Sequence, residues 1–171
     1  MERICVFCGS KTGNDPMYRE TAERFGRELA ARDLGLVFGG GGVGLMGALA
    51  ESTLEAGGEV HGVMPDGIAD REQPPDGLTE LHLVESMHER KQRMFDLSDG
   101  FAALPGGIGT LEELFEMVTW AQLGFHEYPT GIVDVGDFFV DLVAFLDGAT
   151  DPGFIAADHR DPFLVEDDHP A

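Results

Sequence analysis

Residues 98–114 read SDGFAALPGGIGTLEEL. A short apolar run comes first, then a proline and a cluster of glycines, then leucines at helical spacing. This describes a strand over 100–104, a turn over 105–110, and a helix whose apolar face carries Leu111, Leu114, Phe115 and Val118. A strand that runs through a glycine turn into a helix is the repeating unit of a parallel α/β sheet.

The same unit recurs on either side. GGGGVGLMG, residues 39–47, follows a strand at 36–38 and leads into a helix ended by Gly57 and Gly58. RICVF, residues 3–7, is a strand followed by a polar turn. Pro16 then starts a helix with Asp15 as its cap, and Tyr18, Ala22, Phe25 and Leu29 lie on one face. Further strands are predicted at 59–64, 80–84 and 130–133, and further helices at 87–97, capped by Ser86, and at 138–146. Residues 65–79 read as an exposed loop, and 158–171 as a loosely packed end. The expected architecture is an α/β fold: a Rossmann-like, doubly wound, mostly parallel sheet with helices on both faces and right-handed crossovers. One domain fills residues 1–171, with a core over about 3–155 and an acidic tail over about 156–171. Such sheets take ligands beyond the carboxyl ends of their strands. The glycine-rich turns after Phe7, Phe38 and Leu104 all fall there.

The composition narrows the function. Lys+Arg number 11 against 32 Asp+Glu, a formal charge of −21. Nucleic-acid binding needs basic residues to displace counterions, so that class is excluded. The acids are spread along the chain, which reads as a solvated acidic shell suited to a salt-rich, halophilic cytoplasm. No apolar run approaches the ~20 residues of a membrane span, and the first residues do not form a signal peptide, so a cytoplasmic location is expected. Cys5 and Cys8 are spaced as C-x-x-C, but Cys5 lies in a strand and the offset of three turns the two to opposite faces. They read as packing residues. The six histidines show no i, i+4 pair, and no metal site is assigned.

The chemistry gathers in three segments. Gly42, Gly44 and Gly47 form G-x-G-x-x-G, which suits either a phosphate beside the backbone or tight helix–strand packing. Gly106, Gly107 and Gly109 free a second turn to wrap an anion, with the Thr110 hydroxyl and a helix N-terminus at the same spot. No Gly-Lys-Ser/Thr follows, so this is not a Walker A loop. Glu112 and Glu113 lie in the first helical turn. Arg90, Lys91 and Arg93, in MHERKQRM, concentrate positive charge on a very acidic chain and suit an anionic ligand.

CVFCGS at 5–10, GGGGVGLMG, MHERK at 87–91, residues 98–114 and TWAQLGFHEYPTGIV at 119–133 together resemble the LONELY GUY family. These are cytokinin riboside 5′-monophosphate phosphoribohydrolases, often labelled lysine decarboxylases. The resemblance implies a Rossmann-like dimer with Arg90 and Glu113 as the catalytic pair. It implies Lys91, the 106–110 loop and Glu112 as nucleotide-binding residues, with Ser10, Gly41, Gly42, Gly44 and Thr119 completing the candidate substrate-binding set. Gly100, Ile108 and the fourth glycine of GGGG depart from the usual family residues without removing a catalytic group.

The expected reaction is hydrolysis of the N-glycosidic bond of an AMP-like nucleoside monophosphate, with no cofactor and no metal. Glu113 would stabilise positive charge at C1′ and activate water; Arg90 would orient the sugar, and the 106–110 loop would hold the 5′-phosphate. Lysine decarboxylation would need pyridoxal phosphate on a lysine, and only Lys11 and Lys91 exist. The alternatives are a non-catalytic nucleotide or molybdenum-cofactor carrier of similar fold, which would not need both Arg90 and Glu113, and a dinucleotide-dependent oxidoreductase resting on G-x-G-x-x-G alone.

Overall fold

A computed structural model describes residues 1–69, 72–156 and 163–167. The chain alternates strand and helix: β1 (Arg3–Phe7), α1 (Pro16–Ala31), β2 (Gly35–Phe38), α2 (Gly44–Glu55), β3 (Val60–Pro65), α3 (Asp66–Ala69), β4 (Glu80–Val84), α4 (Met87–Asp96), β5 (Phe101–Ala103), α5 (Ile108–Gln122), β6 (Thr130–Asp134), α6 (Val140–Gly148) and β7 (Phe163–Asp167). The seven strands form one sheet in the order β4-β3-β2-β1-β5-β6-β7, and every pair is parallel.

That order reverses direction at β1. The chain steps outward through β2, β3 and β4, then crosses back to place β5 on the other side of β1. Loops leaving β1 and β5 therefore diverge and open a crevice beyond their carboxyl ends. Two layers of core cover the faces. Val6, Cys8, Leu36, Phe38 and Val60 pack with Ala22, Leu29, Leu45 and Leu49 of α1 and α2. Cys5, Phe7, Val37, Val63 and Phe101 pack with Met94 of α4 and with Leu114, Met117 and Val118 of α5. Cys5 and Cys8 thus lie in opposite layers, as the strand period requires, and both are free and buried. Gly26 lets α1 and α2 cross closely: a Cβ there would collide with the Ser52 hydroxyl.

Two local expectations change. The stretch read as a loop over 65–79 opens with the short helix α3. The acidic end, read as loosely packed, contributes β7, which pairs with β6 from Thr130↔Phe163 to Asp134↔Asp167. The rest of that end lies outside the described residues. No helix among the described residues is long and apolar enough to cross a membrane.

Candidate active site

The crevice between β1 and β5 is a cleft of about 350 Å³, inside the ~300–1,000 Å³ range of small-molecule sites. Arg90 and Glu113 stand on its wall. Ser86 caps α4 by accepting from the Glu89 N–H, and this fixes the helix that presents Arg90. Every nitrogen of the guanidinium is held. Nε donates to the Val63 carbonyl at 3.1 Å, NH1 to Glu113 Oε1 at 2.9 Å, and NH2 to the Gly39 carbonyl at 3.4 Å. Both side chains are 13% exposed. Burial pushes the Glu113 carboxyl above the ordinary glutamate range, and the Arg90 charge only partly offsets this.

The turn into α5, the helix that also carries Glu113, forms another part of the lining. Gly107 occupies the N-cap position and no side chain caps the helix. First-turn N–H groups have no acceptor within a helix, so this end faces the cleft ready for an anion. Gly107, Ile108, Gly109 and Thr110 line the cleft together with Gly9 and Ser10 from the end of β1. Gly106 packs behind: a Cβ there would strike the Thr110 side chain and lie 2.9 Å from the Gly9 nitrogen.

The first glycine run behaves differently. The Leu45 and Met46 N–H groups at the start of α2 both donate to the Gly9 carbonyl, at 3.0 and 3.3 Å. The donors a phosphate would use are already taken. Gly44, at φ +67°, presses on the Ser10 and Lys11 backbone, and Gly42 presses on Gln73. Packing therefore explains this run. Gly41, Gly42 and Gly44 lie outside the cleft lining, and of the run's glycines Gly39 alone reaches it.

Three more of the candidate residues also stand away from the lining. Lys91 is turned beneath the cleft and donates to Glu112 and Glu116. Burial draws its pKa down, but those two hydrogen bonds outweigh it and hold the ammonium above its ordinary value. Glu112 is spent on that ion pair. The Thr119 hydroxyl donates to the Phe115 carbonyl at 2.6 Å, on an exposed part of α5. The cleft also holds residues to which the sequence assigned no place in the site. Met46, Met64, Pro65 and Ile68 give it an apolar wall, and Cys8 and Glu72 complete it. Only the sheet order brings these together, although the apolar run into Pro65 could have flagged Met64.

Comparisons with known proteins bear on the family and the fold. A family model described as "Possible lysine decarboxylase" matches residues 46–171. A probable cytokinin riboside 5′-monophosphate phosphoribohydrolase of Oryza sativa subsp. japonica is 47% identical over 99% of this chain and 74% of its own. A cytokinin riboside 5′-monophosphate phosphoribohydrolase of Arabidopsis thaliana is 47% identical over 91% of this chain and 71% of its own. Among solved structures, the molybdenum cofactor carrier protein of Chlamydomonas reinhardtii superposes with a TM-score of 0.69 at 20% identity, covering 96% of this chain and 88% of its own. The molybdenum cofactor binding protein of the phototrophic bacterium Rippkaea orientalis gives 0.71 at 17% identity, over 96% of this chain and 89% of its own. Those two likenesses establish the Rossmann-like fold and nothing further. Identity near one half across nearly the whole sequence does more: this chain belongs to the LONELY GUY family of cytokinin riboside 5′-monophosphate phosphoribohydrolases.

Proposed function

We propose that the protein hydrolyses the N-glycosidic bond of nucleoside 5′-monophosphates, releasing the free base and ribose 5-phosphate. The observation that carries this reading is the Arg90–Glu113 pair, at 2.9 Å, in the same cleft as the uncapped start of α5. The 5′-phosphate docks on the backbone of residues 107–110, with the buried Thr110 hydroxyl and Ser10 beside it. Binding there fixes the ribose relative to Glu113. As the base departs, positive charge grows on the sugar ring. The Glu113 carboxylate stabilises that charge and takes a proton from the attacking water, while the base leaves with the electron pair of the C1′–N bond and takes up a proton from solvent. The guanidinium orients the carboxylate and the sugar hydroxyls; it is not the acid, because it stays charged at any working pH.

The apolar wall of Met46, Met64 and Ile68 suits a flat base, and a purine such as that of AMP is the proposed substrate type. The plant relatives' names specify cytokinin nucleotides, whose bases would meet the same wall. Lysine decarboxylation does not fit, since Lys91 is ion-paired and its proton is held more tightly than usual, the wrong direction for a Schiff-base lysine. A carrier would have no use for a desolvated carboxylate locked to an arginine.

We extend the proposal to a cytoplasmic homodimer. Leu123 and Phe125, just after α5, are 65% and 70% exposed, apolar surface that suits a subunit contact. Light scattering in molar KCl tests it, and a monomer at micromolar concentration would remove it. The activity is tested by incubating a panel of nucleoside monophosphates in molar KCl and separating the products by chromatography. Free base and ribose 5-phosphate should appear together. Release that persists at the wild-type rate in Glu113→Gln would overturn the assignment.

A further inference from the structure

Away from the cleft, near the opposite end of β3 and β4, two buried histidines and a glutamate converge. His61 stands directly across from Glu80 in the strand register, and His82 lies two residues further along the same strand. His61 Nδ1 and His82 Nε2 are 3.4 Å apart, His82 Nε2 and Glu80 Oε2 are 3.5 Å apart, and His61 Nδ1 and Glu80 Oε2 are 4.0 Å apart. The imidazoles are 6% and 8% exposed, whereas the Glu80 side chain is 59% exposed. Among the described residues this is the one group of three or more His, Cys, Asp or Glu whose ligand atoms converge so closely.

From these residues we infer a binding site for a divalent transition metal of the zinc type, with His61 Nδ1, His82 Nε2 and Glu80 Oε2 as its protein ligands. Ligand atoms at ~2.0–2.1 Å from a tetrahedral ion lie roughly 3.3–3.5 Å from one another, which two of the three separations already match. The third closes with a small turn of the exposed Glu80 side chain. Two imidazoles and one carboxylate favour zinc, cobalt, nickel or copper over calcium and magnesium, which prefer oxygen. The exposed side of the site leaves the fourth position to water.

The surroundings support His61 as a ligand. Its Nε2–H donates to Glu59 Oε1 at 2.8 Å, so the lone pair sits on Nδ1 and points at the centre. Glu59 is itself anchored by Arg3, at 3.3 Å. His82 has a different second partner: Arg93 NH2 lies 3.2 Å from its Nδ1. With a metal on Nε2 the His82 proton moves to Nδ1, and Arg93 must turn away. Loading therefore exchanges one charge-assisted hydrogen bond for a metal–nitrogen bond.

The experiment uses tag-free, metal-stripped protein in molar KCl, where diffuse attraction of cations to the acidic surface is screened. After dialysis against micromolar Zn²⁺ and removal of free ion, elemental analysis should find about one zinc per chain in the wild type. Cobalt substitution should give the intense visible bands of a tetrahedral site. Glu80→Gln, on an exposed side chain that the fold does not need, should lose those bands. Glu59→Gln should weaken zinc binding about 10–100-fold, the usual effect of removing the carboxylate behind a ligating histidine. His82→Asn should abolish retention with an unchanged circular dichroism spectrum. No zinc retained by the wild type, or equal retention by the wild type, Glu80→Gln and His82→Asn, would overturn the proposal.

Discussion

Arg90 and Glu113 come from different helices and meet at 2.9 Å, yet the pair leaves the carboxyl with a raised pKa. Burial of Glu113 outweighs the neighbouring guanidinium. The acid limb of the pH–rate profile should therefore lie above the ~4.3 of an ordinary glutamate. Removing the guanidinium takes away the main lowering influence. In Arg90→Met the Glu113 carboxyl, followed by NMR of a carboxyl-labelled protein, should titrate higher still. A titration that moves down, or not at all, would contradict the dominance of burial over charge pairing.

The same shift fixes the sign of a stability effect. An acid whose folded pKa is raised binds its proton more tightly in the native state than in the unfolded one. Stability then falls as pH rises from the unfolded pKa through the folded one, and the loss is fully present above the folded pKa. At neutral pH ionised Glu113 is a cost to the fold. Glu113→Gln keeps an acceptor for Arg90 NH1 and removes that cost. Its melting temperature should equal or exceed that of the wild type, while turnover falls by about 10²–10⁴-fold. Arg90→Ala should do the opposite, leaving a buried carboxylate without its partner and costing about 3 kcal/mol. Thermal melts of the two variants side by side distinguish a site tuned for chemistry from one tuned for stability.

Gly39 controls where Arg90 can sit. A methyl group at residue 39 would collide with the guanidinium and approach the Met46 sulfur at 3.3 Å. Gly39→Ala should drive Arg90 from its three anchors and depress kcat/KM nearly as far as Arg90→Ala does. Gly148, in α6 and outside the cleft lining, has open space where a Cβ would go, so Gly148→Ala should be far milder. Equal losses from the two glycine variants would argue against Arg90 as the reason.

Lys91 tests whether family correspondence or geometry decides a role. It stands outside the cleft lining and ties α4 to Glu112 and Glu116 of α5. Lys91→Met should lower stability by about 1 kcal/mol, as a partly exposed pair allows, and shift KM only slightly. A large rise in KM with an unchanged melting temperature would return Lys91 to the nucleotide.

The parallel sheet and the glycine turn into α5 were legible in the sequence because they rest on local rules. Strand, glycine turn and helix follow one another in residues 98–114, and periodicity separates the faces. What stayed hidden depends on register and on who takes a donor first. GGGGVGLMG has the pattern of a phosphate loop, but the Gly9 carbonyl, thirty residues upstream, already occupies the α2 N–H groups. His61 and His82 show no helical spacing, since they meet across two parallel strands rather than along one helix. β7 was missed because FLVED is short and sits in an acidic, proline-containing stretch that reads as solvated. Glu72 carries no motif at all; its N–H donates to the carbonyl of Ile68, another residue of the cleft lining.

Surface charge supplies the last prediction. Thirty-two acids face eleven Lys and Arg, and the basic groups the fold holds most closely, Arg90 and Lys91, are consumed by internal pairs. α1 balances its own acids, with Glu23 paired to Arg19 and Glu28 to Arg32, so the excess negative charge is carried by the rest of the chain. At low ionic strength the Debye length reaches ~30 Å, wider than the sheet's spacing between helices, and the whole negative shell acts together. In molar salt it shrinks to ~3 Å and only immediate neighbours interact. The melting temperature should climb steeply between dilute buffer and molar KCl, and KCl and NaCl should act alike because screening depends on ionic strength. Sulfate salts at the same ionic strength should add a further rise, since they also strengthen apolar burial. A melting curve that does not move between dilute buffer and molar KCl would show that the acidic shell is neutral to folding, and the inference of a salt-rich cytoplasm would go with it.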